Sequence, residues 1–581
     1  MIHKSILLLS FLLSATTIFA QTFITNVTVA DVDHQKYIAN QTVEIRDEKI
    51  AGIHPAENAK IPAGSITIDG EGKFLFPGLV DAHIHFSQSG GLYTRPDAID
   101  LRSTRPYQEE IDWVHEHMDE TLRRYLQNGI TCVIDVGTTN NFLKHRASFA
   151  SSTTSPSIYM AGPLLTTYEP AALSNLGDDG PFNLATSVEK AKDLVRAQLI
   201  YHPDFIKIWY IVGRDTNYIE VNARKHLPIV KAIIDEAHKN KTKVAIHATD
   251  RITAQLSVEN GCDYLVHSVD DEVLSDDFVK LLKKHNTILC PTLIVHNGYV
   301  NTFGQRLIMS EHEIRMSDPF QLGTLLDLKH LQDTALANGY KAGLSNPERI
   351  AYTRTHNSNM AVNLKKLSDA GVIIATGTDA GNIGTLHASS YLPEIKAMKA
   401  SGMSNWQILQ ASTINGAKAL GREREFGTID NGRMANLVLL DADPIVDIEN
   451  ITNIYRVINK GVVIDPDTLI KETPESLVQR QLNAYNFRNI EAFLDTYAED
   501  VELYEHPDKL IMEGKDEMRK TYGARFATTP ELHCEILERT VKGNVVIDTE
   551  SVQYENGGQK VMANVTYHIE NGKIKKVYFL R

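Results

Sequence analysis

Two histidine pairs share one spacing: His83 and His85 in "GLVDAHIHFS", and His115 and His117 in "WVHEHMDE". Imidazole is a common ligand for divalent ions, so either pair could hold a metal. The backbone beneath each pair decides between them. "GLVDAHIH" follows "FPG" and is rich in β-forming residues, and side chains at i and i+2 of a strand share a face, so His83 and His85 would converge on one ion. "YQEEIDWVHEHMDETLRRYLQNG" carries a helical period instead. There, i and i+2 lie about 200° apart around the axis and cannot converge. The first pair is the candidate metal site, and the second reads as a solvated helix face.

More ligand-type residues lie at the ends of similar apolar runs: Lys207 in "FIKIWY", His247 in "KVAIHAT", His267 in "YLVHS" and Asp379 in "IIATGTDAG". A single histidine at a strand end is more often structural than ligating. The joint placement carries the weight. Short apolar runs at "GLVDAHIH", "TCVIDVG", "SIYMAGP", "FIKIWY", "KVAIHAT", "YLVHS", "TILCPTLIV" and "VIIATGTDAG" alternate with helical patterns over residues 78–421. That alternation predicts an α/β fold, a (β/α)8 barrel of the TIM type, whose chemistry sits at the C-terminal ends of the strands. The candidate ligands fall on the first, fourth, fifth, sixth and eighth strands, around one mouth.

The flanks differ from the centre. Residues 21–77 and 422–465 show short alternating strands, which predict a small composite β-sandwich built from both ends of the barrel. After "DPDTLIKETPES", residues 472–581 read as helices followed by a meander, a separate α+β domain. Residues 1–20 have one lysine, an apolar run and Ala20 at a small-residue cleavage position, the pattern of a signal peptide too short to span a bilayer. Secretion across the inner membrane, to the periplasm, is the expectation. The net charge of −14 and the absence of a basic run exclude a nucleic-acid groove. Cys132 and Cys290 lie inside apolar strand-like runs and no CxxC occurs, so the four cysteines are expected as buried thiols.

With "FPGLVDAHIH", "TGTDAG", "ASTINGAKALG" and "GTIDNGRMANLVLLDADP", the central and flanking segments resemble the amidohydrolase superfamily, and "FIKIWY", "IHATD" and "YLVHS" are similar to its prolidase-like and imidazolonepropionase-like branch. The resemblance implies two divalent metal ions, zinc by default. His83, His85 and Asp379 would hold the first, His247 and His267 the second, and a carboxylated Lys207 would bridge them. It also implies that Asp379 moves the catalytic proton. Tyr93, Arg95, Arg102, Tyr210, His296 and His387, near strand ends, are candidate substrate contacts, an arginine offering a bidentate grip on a carboxylate. The last domain resembles the cone-shaped SnoaL-like and ketosteroid-isomerase-like group through "VQRQLNAYNFRNIEAFLDTYAEDVELYEHP" and "MEGKDEMRKTY". Gln481 and His506 stand where those isomerases carry tyrosine and aspartate, which argues against an isomerase relay.

The expected activity is hydrolysis of an amide-type C–N bond in a small substrate: a dipeptide, an N-acyl amino acid or a cyclic amide. The alternatives are a mononuclear deaminase of the same superfamily, suggested by Asp250 three residues after His247, and a ligand-binding or isomerase role in the last domain. The expected partner is a small molecule, with no nucleic acid and no membrane span. Homo-oligomer formation is left open.

Overall fold

The computed structural model describes residues 21–213, 218–331, 335–555 and 558–580 of the chain. The expected signal peptide lies outside the described residues.

The apolar runs form the barrel. Its first seven strands are Leu79–Ile84, Ile130–Asp135, Ser157–Met160, Phe205–Trp209, Lys243–His247, Tyr264–Val266 and Ile288–Cys290. Neighbouring strands pair in parallel. The third and fourth are linked through Leu164–Thr166 and by the Asp204 amide donating to the Met160 carbonyl at 2.8 Å. The eighth segment closes the ring. It bridges Leu289 through Ile374, and it meets the first strand where the Ala82 amide donates to Thr376 O at 2.8 Å and the Asp379 amide to His83 O at 2.7 Å. Strands buried on both faces read as continuous apolar stretches, which is why no strict alternation marks them. Inside the ring, Val80, Ala82, Ile134, Ala245, Val266 and Ala375 form one apolar plug.

The two flanking β segments pair as one eight-stranded sheet: the strands Leu437–Leu440, Ile454–Asn459 and Val462–Ile464 continue, through Phe74–Pro77, into the three N-terminal strands. The two layers of the expected sandwich are thus continuous in hydrogen bonding. The sheet's far edge folds back: Lys49 bridges Met434, and the Ile50 amide donates to Arg433 O at 2.9 Å. Ile24, Val43, Ile45, Ile50, Leu437 and Ile458 fill the core so enclosed.

The C-terminal region sets three helices, Pro474–Asn486, Ile490–Asp495 and Lys515–Thr528, against a six-stranded sheet. Its core does not end at the domain. One apolar cluster joins Leu477, Leu482 and Phe493 to Leu322 and Leu325 of the long insertion after the seventh strand. The same cluster takes in Leu92, after the first strand, and Ile383 and Leu386, after the eighth. Asn483 Nδ2 donates to Pro319 O at 2.6 Å across this junction. Among the described residues no helix is long and apolar enough to cross a membrane, and all four cysteines are buried and free.

Candidate metal centre

His83 lies near the end of the first strand, His85 directly follows it, and the turn after the eighth segment presents Asp379. His83 Nε2 and His85 Nε2 each lie 3.1 Å from Asp379 Oδ1, and 3.4 Å from one another. His85 Nδ1 is 2.9 Å from the carbonyl of Gly137. A carbonyl can only accept, so Nδ1 carries a proton, and Nε2 is the nitrogen turned toward Asp379. Two imidazole nitrogens and a carboxylate oxygen gathered in one buried spot are atoms of the types that bind divalent ions. These three residues form a group able to hold a metal ion. A divalent ion suits such a donor set of imidazole and carboxylate.

The local chain is shaped for this. Asp81, fully buried two residues before His83, accepts from the Thr378 amide at 3.0 Å and hydroxyl at 2.7 Å, tying the first strand to the eighth segment. Burial pushes its carboxyl up to about 7. Gly377 has no room for a side chain: a Cβ would stand 2.7 Å from the His83 backbone nitrogen. Asp379 holds φ at 60° and His267 at 75°, conformations costly for non-glycine residues and found where function over-determines the backbone.

The other strand ends complete a ring. The His247 and His267 ring centres are 4.3 Å apart, and His267 lies 4.9 Å from His83, again between ring centres. His267 Nδ1 sits 2.7 Å from the Thr292 hydroxyl and 3.9 Å from Asp379 Oδ2. Lys207 is buried on the fourth strand, in register with Ala245. It has no ion-pair partner among the described residues. Burial pushes its ammonium down to about 7, against the pull of Asp379. Burial likewise pushes His83 down to about 3 and His247 and His267 well below the ordinary range. Burial opposes the charge of Asp379, yet His83 and His85 hold its carboxyl well below the usual value.

Most expected substrate contacts have their polar groups engaged within the protein. Tyr93 donates to Asp327 Oδ2 at 2.8 Å. Arg95, expected as a carboxylate clamp, gives Nε and Nη2 to Asp97 at 2.7 and 2.6 Å and Nη1 to Asn382 at 2.6 Å. Its loop has claimed the fork that a substrate would need. Arg102 pairs with Asp100 at the surface. The Tyr210 hydroxyl donates to Ala223 O. His387 lies 2.8 Å from the Tyr125 hydroxyl and 2.7 Å from Gln88 O, which uses both ring nitrogens. His296 is exposed and has no hydrogen-bond partner among the described residues. Reading the sequence missed Asp81, Asn382, Tyr299 and Thr292. Asp81 left a signal, a charge inside an apolar strand beside two histidines; Tyr299 left none.

Of the second histidine pair only His115 lies within a helix, and both residues are half-buried against aromatic rings rather than on the solvated helix face expected. His115 stacks on Phe142 with ring centres 4.4 Å apart and meets Asp179 at 3.0 Å. His117 sits at a break between the helices Tyr107–Glu116 and Met118–Gln127 and stacks on Trp113, also at 4.4 Å.

Residues 74–464 match the model of the amidohydrolase family. The chain belongs to the amidohydrolase family. Residues 478–577 of this amidohydrolase-family chain match a SnoaL-like domain. A 5-methylthioadenosine/S-adenosylhomocysteine deaminase of Syntrophomonas wolfei is 21% identical over 197 residues, 32% of this chain and 40% of that protein. An imidazolonepropionase of Shouchella clausii is 42% identical over 82 residues, 14% of this chain and 18% of that protein. The chain thus spans less than half the length of these relatives. A putative prolidase from Bifidobacterium longum shares the fold at 21% identity and a TM-score of 0.56, over 80% of this chain and 98% of that one.

Within the C-terminal domain, His506 is exposed in the turn between the strands Tyr497–Glu505 and Lys509–Glu513. Two acids are buried there: Asp548, paired with Arg539, and Glu550, which accepts from the Tyr567 hydroxyl at 2.7 Å and which burial pushes up to about 7.

Proposed function

We propose that this amidohydrolase-family enzyme hydrolyses an amide-type C–N bond of a small substrate, a dipeptide, an N-acyl amino acid or a cyclic amide, at a binuclear zinc site. His83, His85 and Asp379 would hold one ion, His247 and His267 the other, and carboxylated Lys207 would contribute an oxygen to each. When bound, the ions would polarise the scissile carbonyl and lower the pKa of water at the site. Asp379 divides its labour: Oδ1 faces His83 and His85, and Oδ2, on the His267 side, takes the proton from the attacking water and returns it to the leaving nitrogen. Burial excludes bulk water, which would otherwise screen the interactions that hold the carboxylate in place. His296, whose ring nitrogens are unclaimed within the protein, is the candidate to touch the substrate.

The observation that carries this reading is the meeting of His83 Nε2, His85 Nε2 and Asp379 Oδ1 within 3.4 Å of one another. The prolidase-type fold neighbour and the imidazolonepropionase relative support the choice of C–N bonds. Deamination, named in another relative, leaves buried Lys207 without a role. The test is metal analysis of the purified protein, then turnover across dipeptides, N-acyl amino acids, lactams and aminopurines. Two zinc ions per chain and release of an amine from an amide support the reading; one ion with ammonia release from the purines overturns it. The reading also places the mature chain in the periplasm, which N-terminal sequencing of periplasmic protein checks by finding Gln21 first.

A further inference from the structure

Asn382, three residues after Asp379, is buried. Its side-chain amide faces two different neighbourhoods. On one side its oxygen receives Arg95 Nη1 at 2.6 Å and the Tyr299 hydroxyl at 2.6 Å. On the other its nitrogen donates to Asp379 Oδ1 at 2.7 Å and to the Asp379 backbone carbonyl at 3.1 Å. Arginine has no acceptor, so the amide atom beside Arg95 must be the oxygen. The nitrogen is thereby obliged to point at Asp379. Arg95 cannot swing away, because Asp97 grips its Nε and Nη2 in a two-pronged ion pair at 2.7 and 2.6 Å. Tyr299 is a second prop, accepting from Arg95 Nη1 at 3.1 Å while it donates to Asn382.

The chain of contacts therefore runs from a clamped cation, through an amide with one allowed orientation, to a single oxygen of the carboxylate. A carboxylate free to turn about its Cβ–Cγ bond would exchange its two oxygens. Asn382 removes that freedom by marking Oδ1. Oδ2 receives no hydrogen bond within the protein among the described residues.

We propose that Asp97, Arg95, Tyr299 and Asn382 form a positioning relay that locks the Asp379 carboxylate, reserving Oδ1 for the metal side and Oδ2 for proton transfer, with Asn382 as its key member. The proposal rests on the hydrolytic reading for its proton step. Its effect on Oδ1 as a ligand stands without that reading.

The experiment therefore has two independent readouts. Zinc affinity of the full-length chain is measured by chelator competition, which requires no substrate. Steady-state kinetics on the substrate found by the panel then separate kcat from KM. For Asn382→Ala both zinc affinity and kcat are expected to fall roughly 10- to 100-fold, as outer contacts to metal ligands do, with KM held. Tyr299→Phe keeps Arg95 and the amide in place and should give a smaller loss of the same kind. It also serves as the milder variant should the alanine change fail to fold. Asp97→Asn touches neither Asp379 nor Asn382, yet by loosening Arg95 it should lower kcat without moving KM. Wild-type zinc affinity and kcat in folded Asn382→Ala or Tyr299→Phe would overturn the relay. A raised KM at unchanged kcat would overturn it too, since that marks Asn382 as a substrate contact. If zinc affinity falls as expected but no amide substrate is turned over by the wild-type chain, the hydrolytic reading fails while the relay's hold on Oδ1 survives.

Discussion

His83/His85 and His115/His117 are the same motif in composition and spacing, and the fold uses them in opposite ways. On the first strand both Nε2 atoms reach one carboxylate oxygen at 3.1 Å. At the end of a helix the second pair diverges: His115, in its last turn, goes to Asp179 and Phe142, and His117, just past it, to Trp113. A period of two residues gathers such a pair and a period of 3.6 scatters it. A histidine motif is therefore a statement about chemistry only once the backbone under it is known.

The largest expected effect breaks the first pair. His83→Gln with His85→Gln should empty the first metal position, and turnover should fall by more than the roughly 10- to 100-fold that outer contacts command. Metal content by atomic emission checks it; near-full metal loading in the double variant would contradict the assignment.

Lys207 sharpens the comparison, because the role proposed for it also depends on a strand end. Lys207→Ala should lower metal affinity and most of the turnover, and short-chain carboxylates should restore part of both by filling the bridge. Lys207→Arg should not recover either, since guanidinium keeps its charge and takes up no carbon dioxide. The alternative is settled if the alanine variant keeps two metals and normal hydrolysis.

Removal of residues 472–581 asks how far the site depends on what stands behind it. From the sequence the C-terminal domain looks detachable, with every candidate ligand upstream of it. In the structure its helix Pro474–Asn486 shares a core with Leu92, Leu322, Leu325, Ile383 and Leu386, on loops that follow the strands bearing His83, His85 and Asp379. Exposing such side chains costs about 1.5–3 kcal/mol each, so truncation should lower the unfolding temperature and cut activity rather than leave a working barrel. A truncated chain with the parent's melting temperature and turnover would show the junction to be idle. Thr292→Val is gentler. It removes the partner of His267 Nδ1 and should weaken zinc binding about 10-fold at the second position only, read by chelator competition.

Much of this was legible in the residues, and the limits are instructive. Each barrel strand announced itself as an apolar run, because a strand buried on both faces has no polar side to hide. His247, His267, Lys207 and Asp379 stood at the ends of such runs, so their convergence followed from the barrel's geometry. Asn382 and Tyr299 did not stand out. They are held by partners more than eighty residues distant in sequence, and one chain's pattern carries no information about which loop will face which. Arg95 shows what else a sequence leaves out: a guanidinium near a mouth gives no sign that Asp97, two residues on, pairs with it. The apolar face of Pro474–Asn486 was visible as a helical stripe, but a stripe does not say what covers it.

The smallest effect belongs to the other pair and completes the comparison. His115→Gln with His117→Gln should leave metal content and turnover unchanged, since neither ring approaches the first strand. The cost should appear in stability alone. His115 loses a partly exposed contact with Asp179, worth about 0–1 kcal/mol in pairs of this kind. The two stacked rings, on Phe142 and Trp113, add about 0.5–1.5 kcal/mol each where such geometry is well formed. A fall of a few degrees in melting temperature at full metal loading is the outcome expected. Equal metal loss in this variant and in His83→Gln with His85→Gln would mean that spacing, and not the backbone beneath it, had governed both pairs.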